Sequence, residues 1–180
     1  MGQRNGKVYL VAILFSIFTG LSFLFVKIAL RSSDPFDFLA YRFTVAFISL
    51  IPMYAFRIAR FNLNFRQFLK LVPISLIYPL AYFVFQTLGL QYISSAEGSI
   101  IMASTPILTL LGASVFLKEK TTLLQKISIL VSAVGVIYIT ISSSTGLTFG
   151  SIKGIAFVFL SSLSFSAYNV MARKLTREFS

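Results

Sequence analysis

Six apolar stretches, at 8–30, 35–56, 65–90, 95–117, 123–141 and 152–173, divide this chain into segments that each match one crossing of a lipid bilayer. A hydrocarbon layer of about 30 Å takes about 20 helical residues to cross. Inside it, only helices and closed barrels satisfy every backbone N–H and C=O, and unbroken runs of this length read as helices rather than alternating strands. The expected fold class is therefore all-α and integral to the membrane: a polytopic helical bundle of six transmembrane helices in a multi-pass cell membrane protein, with the lipid bilayer as its first partner. The 57% apolar content and 20 phenylalanines against 5 acidic residues support that class over a soluble one.

The opening MGQRNGKVYLVAILF has the charge order of a signal peptide. Its apolar run is too long for one and no small-x-small cleavage site follows, so it reads as a retained first span.

The boundaries carry capping signals, which buried helices need for the orphan amides of their first turn. Asp34, Pro35 and Asp37 suit the start of the second helix as N-cap, first helical residue and dipole partner. Asn64 with Gln67, Ser94 with Glu97 and Thr122 with Gln125 have capping-box spacing, and Ser151 is the expected cap of the sixth helix.

Short connections make neighbouring helices antiparallel, so the ends alternate between two sides. With the N-terminus inside, the inner ends collect Arg4, Lys7, Arg57, Arg60, Arg66, Lys70, Lys118, Lys120, Lys126, Arg173, Lys174 and Arg177, while the outer loops hold Arg31 and Lys153. That asymmetry obeys the positive-inside rule and predicts both termini in the cytoplasm. It also accounts for the net charge of +11 through topology, so nucleic acid is not an expected partner.

Two cations remain within the spans, Lys27 and Arg42. Lys27 can snorkel outward and favour the C-terminal end of its helix. Arg42 lies about 12 Å from the Asp34 cap, within reach of the outer surface or of Asp37.

The chain has no cysteine and no histidine, which removes thiol nucleophiles, imidazole acid–base chemistry and ordinary zinc sites. HExxH and GxSxG patterns are absent and no acid pair sits within a span, so no enzyme activity and no cofactor or metal are expected.

Four landmarks occur in order: GLSFLFVKIAL, DPFDFLAYRF, LQYISSAEGSIIMASTPILTLLGASVFLKEK and SAVGVIYI. Together they resemble the drug/metabolite transporter superfamily, specifically its EamA-type members, most specifically at Ser95, Pro106 and Glu119 of the fourth span. The resemblance implies two five-helix repeats in inverted orientation, the topology of alternating-access carriers. Residues 1–145 would form the first repeat and 146–180 the first helix of an incomplete second one, with Lys27 paired to Arg173 by the repeat offset. It further implies a small-molecule substrate: export of small metabolites, amino acids or hydrophobic compounds, with the missing C-terminal repeat or a second chain as partner. Thr19 stands before Gly20, and Phe165 at the equivalent place in the sixth helix, where the family often has tryptophan.

Candidate substrate-binding residues follow from polar and aromatic side chains on bundle-facing stripes. Tyr78, Tyr82, Phe85 and Gln86 share one helical face beyond Pro73 and Pro79. Gly98, Met102, Thr105, Thr109 and Gly112 form a second stripe beside Pro106, in which close helix packing competes with function. Ser16, Thr19, Gly20 and Ser22 lie on the first helix, and Ser161, Ser162, Ser164, Ser166, Tyr168 and Asn169 on the sixth. Most of those hydroxyls can bond their own helix carbonyls, whereas the Asn169 amide cannot hide so easily. The binding set expected is Thr19, Ser22, Lys27, Arg42, Tyr78, Tyr82, Gln86, Met102, Thr105, Tyr168 and Asn169. Alternatives are a truncated or split fragment that does not transport alone, and an oligomeric channel or dimeric carrier.

Overall fold

The helical pattern reappears in the computed structural model, which describes residues 2–56, 65–118, 122–142 and 149–179. Its helices are α1 (Gly2–Ala29), α2 (Pro35–Ala55), α3 (Phe65–Ser75), a π-helical segment (Leu76–Ala81), α4 (Tyr82–Tyr92), α5 (Ser95–Met102), α6 (Thr105–Phe116), α7 (Leu123–Ser142) and α8 (Phe149–Phe179). Among the described residues, Tyr9–Ala29, Pro35–Ala55, Leu71–Tyr92, Ser95–Phe116 and Ile152–Thr176 are long and apolar enough to cross a membrane. The fifth expected span is α7, which leans on α5 and α6 at the edge of the bundle.

Among the described residues the caps form where the residue types predict them, with one exception. Asp34 accepts from the Phe36 amide at 2.9 Å, Ser94 and Glu97 close a reciprocal capping box, and the Thr122 amide donates to Gln125 at 2.8 Å. Asn64 lies outside the described residues. Ser151 is not a cap: α8 already begins at Phe149 and carries Ser151 inside it.

Two spans break near their middles, and both breaks trace to proline. Pro79 disfavours the helical conformation for the residue before it, and Tyr78 is extended at φ −141, ψ 121. The chain recovers through a wide turn in which the Tyr82 amide bonds back to Ile77. In the fourth span the helix stops at Met102 and restarts at Thr105, because Pro106 has no N–H to offer the Met102 carbonyl. The Thr105 hydroxyl supplies the missing donor at 2.6 Å.

α8 is the hub of the bundle, lying along α4, α5, α6 and the π-helical segment. Its crossing with α4 is close because two glycines meet there. A Cβ on Gly89 would lie 2.5 Å from Val158, and one on Gly154 would lie 2.8 Å from Tyr92 Cβ and 3.0 Å from the Gly89 carbonyl. Around that crossing Phe23, Val26, Leu90, Ile93, Ile101 and Val158 form the buried core.

Hydroxyls hold the same helices together across the bundle. Ser161 donates to the Tyr82 carbonyl at 2.9 Å and Ser166 to the Thr105 carbonyl at 3.0 Å. Ser162 and Thr109 complete two hydroxyl pairs, Thr105–Ser162 and Thr109–Ser166, each at 2.8 Å. Ser161, Ser162 and Ser166 thus depart from the expectation that hydroxyls bond their own helix, which Ser164 follows, to Leu160, as does Thr19 on α1, to Phe15. Without water, a polar group that bonds a neighbouring helix adds attraction that apolar packing cannot supply.

Candidate functional site

The two helix breaks face a common space. Tyr82 and Thr105 each fall at the midpoint of their spans, Leu71–Tyr92 and Ser95–Phe116. Between them, α1, α2 and α8 enclose a cavity of about 880 Å³. Backbone departs from regular helix at membrane depth only where it is buried in protein or lines a cavity, so both breaks belong to this space.

Nine of the eleven expected residues line it: Thr19 and Ser22 from α1, Arg42 from α2, Tyr78, Tyr82 and Gln86 from the third span, Met102 and Thr105 from the fourth, and Asn169 from α8. Ser16, Gly20 and Thr109 join them. Gly98 and Gly112 do not: Gly98 packs on Leu90 and Phe23, and Gly112 on Val170 beside a separate apolar cleft.

Lys27 stands outside the cavity. Its ammonium donates to the Leu90 carbonyl at 2.7 Å and approaches the Gln91 carbonyl at 3.5 Å, so it caps the C-terminal end of α4. Lys27→Met is expected to lower the unfolding free energy in mixed micelles by about 1 kcal/mol while leaving ligand binding unchanged. Altered binding with unaltered stability would contradict the capping role.

Tyr168 also lies outside the lining, one layer behind it. Its ring sits 4.7 Å from that of Tyr78 and 6.1 Å from that of Phe165, stacked with the latter at 9°. Tyr78 is the centre of an aromatic wall, with ring centroids 5.2 Å from Tyr82, 5.9 Å from Phe83 and 5.0 Å from Phe165. These spacings suit tilted aromatic packing, which fixes each ring against the others.

Phe85 is replaced in that wall by Phe83. Measured from Tyr82, Gln86 lies about 40° and Phe83 about 100° round the helix on one side, while Phe85 lies about 60° on the other. Phe85 accordingly stacks on Phe157 at 6.3 Å, in the α4–α8 seam.

Arg42 turns toward the cavity rather than to Asp37. Its guanidinium carbon lies 3.8 Å over the centre of the Phe83 ring, and Nη2 reaches Ser22 Oγ at 3.5 Å, the outer limit of a hydrogen bond. Nη1 is buried and has no partner among the described residues. Gln86, 1% exposed, donates from Nε2 to the Tyr82 hydroxyl at 3.3 Å and leaves Oε1 buried without a partner.

The lining residues that sequence reasoning missed as binding candidates are mostly apolar, with Ser99 and Arg173 the polar ones. Phe15, Phe18 and Phe23 look like lipid-facing or core residues in a chain so rich in phenylalanine. Arg173 reads as one more inner-end cation, yet it lines the cavity.

Residues 6–141 match the model of the EamA-like transporter family. A Bacillus subtilis (strain 168) protein named "Uncharacterized transporter YcxC" is 42% identical over 98% of this chain and 57% of its own length. An Archaeoglobus fulgidus protein named "Uncharacterized transporter" is 27% identical over 96% of this chain and 60% of its own length. The chain thus spans less than two thirds of these relatives, and no solved structure matches it. With its apolar spans and paired helix breaks, the chain belongs to the EamA-like transporter family.

Proposed function

We propose that the chain carries a small organic solute across the membrane by alternating access, with the cavity between the broken spans as the binding site. The observation that carries this reading is the coincidence of both helix breaks with a mid-span cavity whose largely apolar lining carries a few polar side chains. Discontinuous helices at a central site are how carriers present backbone and side-chain groups to a solute while neighbouring segments rock around it. Its volume of about 880 Å³ is large enough for a metabolite and its hydration, within the range of small-molecule sites.

The basic inner ends support an orientation with both termini cytoplasmic, and export is the direction that the family resemblance implies. The lining holds no carboxylate and the chain no histidine, so the described site offers no acidic or imidazole proton carrier. Facilitated flux or exchange is therefore the coupling that this half of the pathway supports.

The cysteine-free sequence provides the test. Ser99→Cys, in the lining, should react with a membrane-impermeant thiol reagent applied to either face of oriented vesicles. Thr87→Cys, fully buried in the α4 packing, should react from neither. Reaction of Ser99→Cys from one face alone, unchanged over hours, would refute alternating access and favour a static cleft.

A further inference from the structure

The cavity is chemically lopsided. Its charged lining residues are Arg42 and Arg173, with no Asp or Glu among them. Its aromatic wall, which could otherwise attract an organic cation, already has a cation over the Phe83 face. Two buried polar atoms in the same lining lack partners: a charged donor, Arg42 Nη1, and a neutral acceptor, Gln86 Oε1.

A buried guanidinium nitrogen left without a partner costs stability, and a ligand oxygen that bonds it recovers that cost. The planar fork of Arg42 fits a carboxylate best, because two parallel N–H bonds match its two oxygens. The Gln86 oxygen asks for an O–H or N–H donor on the same molecule. The rings of Tyr78, Tyr82 and Phe165, tilted 42–54° to one another, offer apolar ring faces against which a planar group can pack.

We propose that the cavity selects organic monocarboxylates that carry a hydrogen-bond donor and a planar apolar group, with Arg42 holding the carboxylate and Gln86 the donor. Organic cations are rejected by Arg42. This assignment rests on reading the cavity as the substrate site, but it is tested by binding alone, with no flux measured.

The probes are 3-phenyllactate, 3-phenylpropionate, 3-phenylpropanamide and 3-phenylpropylamine, which share one ring and differ in charge or in a single hydroxyl. Equilibrium binding of each to the purified chain in nanodiscs at neutral pH should rank them in that order. The carboxylates should bind about tenfold more tightly than the amide, and the hydroxyl should add about threefold. Arg42→Gln should bring 3-phenylpropionate down to the affinity of the amide. Gln86→Leu should erase the advantage of 3-phenyllactate over 3-phenylpropionate and keep the preference for acids.

Equal or tighter binding of the amine, absence of binding by all four probes, or an unchanged acid preference in folded Arg42→Gln would each overturn the assignment. If Arg42→Gln fails to fold, the ranking on the unaltered chain decides. Selective binding with a statically accessible Ser99→Cys would refute transport and leave this assignment standing. Two-sided access with a flat ranking would do the reverse.

Discussion

Gly154→Leu is expected to abolish the native bundle, and Gly154→Ala to destabilise it by about 2 kcal/mol, because there is no room for a side chain between α8 and α4. A Cβ at this position meets Ile93 at 2.7 Å, the Tyr92 Cβ at 2.8 Å and the Gly89 carbonyl at 3.0 Å. The last two are backbone or next to it, so no rotamer change relieves them. The helices must separate, and separation strains the Ser161 bond to the Tyr82 carbonyl and opens the core around Leu90 and Val158. Gly135→Ala is the matched control, since its Cβ would meet nothing within 4 Å. There the helix propensity of alanine should make the change neutral or favourable by up to about 1 kcal/mol. Reversible unfolding in mixed micelles, followed by circular dichroism, measures both. Equal stability of Gly154→Ala and Gly135→Ala would show that the α4–α8 crossing is looser than described.

The spans were legible because apolar length and charge asymmetry are properties of composition along the chain, independent of which helix touches which. Capping boxes were legible for the same reason: Ser94 and Glu97 find each other three residues apart whatever surrounds them. Pro79 and Pro106 announced two breaks and Pro73 a third that α3 runs through, and the shapes of the two real breaks depended on what took up the freed groups. A hydroxyl at Thr105 took up one and a wide turn the other.

The lining was legible where a polar residue sat on a bundle-facing stripe and illegible where the choice was between neighbours of like chemistry. Phe83 and Phe85 differ by two positions, and only the orientation of α4 after the π-helical segment decides which ring joins the wall. Lys27 and Arg173, which the family resemblance pairs, differ in the structure: one caps a helix and the other lines the cavity. For the serines of α8 a hydroxyl can serve its own helix or a neighbour equally well, and tertiary packing chose the neighbour at Ser161, Ser162 and Ser166.

Thr105→Val should cost about 2 kcal/mol, a large effect for the loss of one hydroxyl in a membrane bundle, because that oxygen serves two partners at once. Its proton goes to the Met102 carbonyl at 2.6 Å, so the 2.8 Å contact with Ser162 must have Ser162 as donor. Valine keeps the shape and leaves both groups unpaired. Ser162→Ala removes the second bond alone, and should cost about 1 kcal/mol in the wild-type background and almost nothing once Thr105 is valine. Pro106→Ala supplies the second check: its restored N–H lies four residues after Met102 and can bond that carbonyl directly. Thr105→Val made on Pro106→Ala should therefore cost about half as much as on the native sequence. Strict additivity across both cycles would mean that the Thr105 hydroxyl is not what compensates the break. The midpoint of the fourth span would then owe its shape to packing against α8 alone, and the polar seam would be incidental to the cavity it borders.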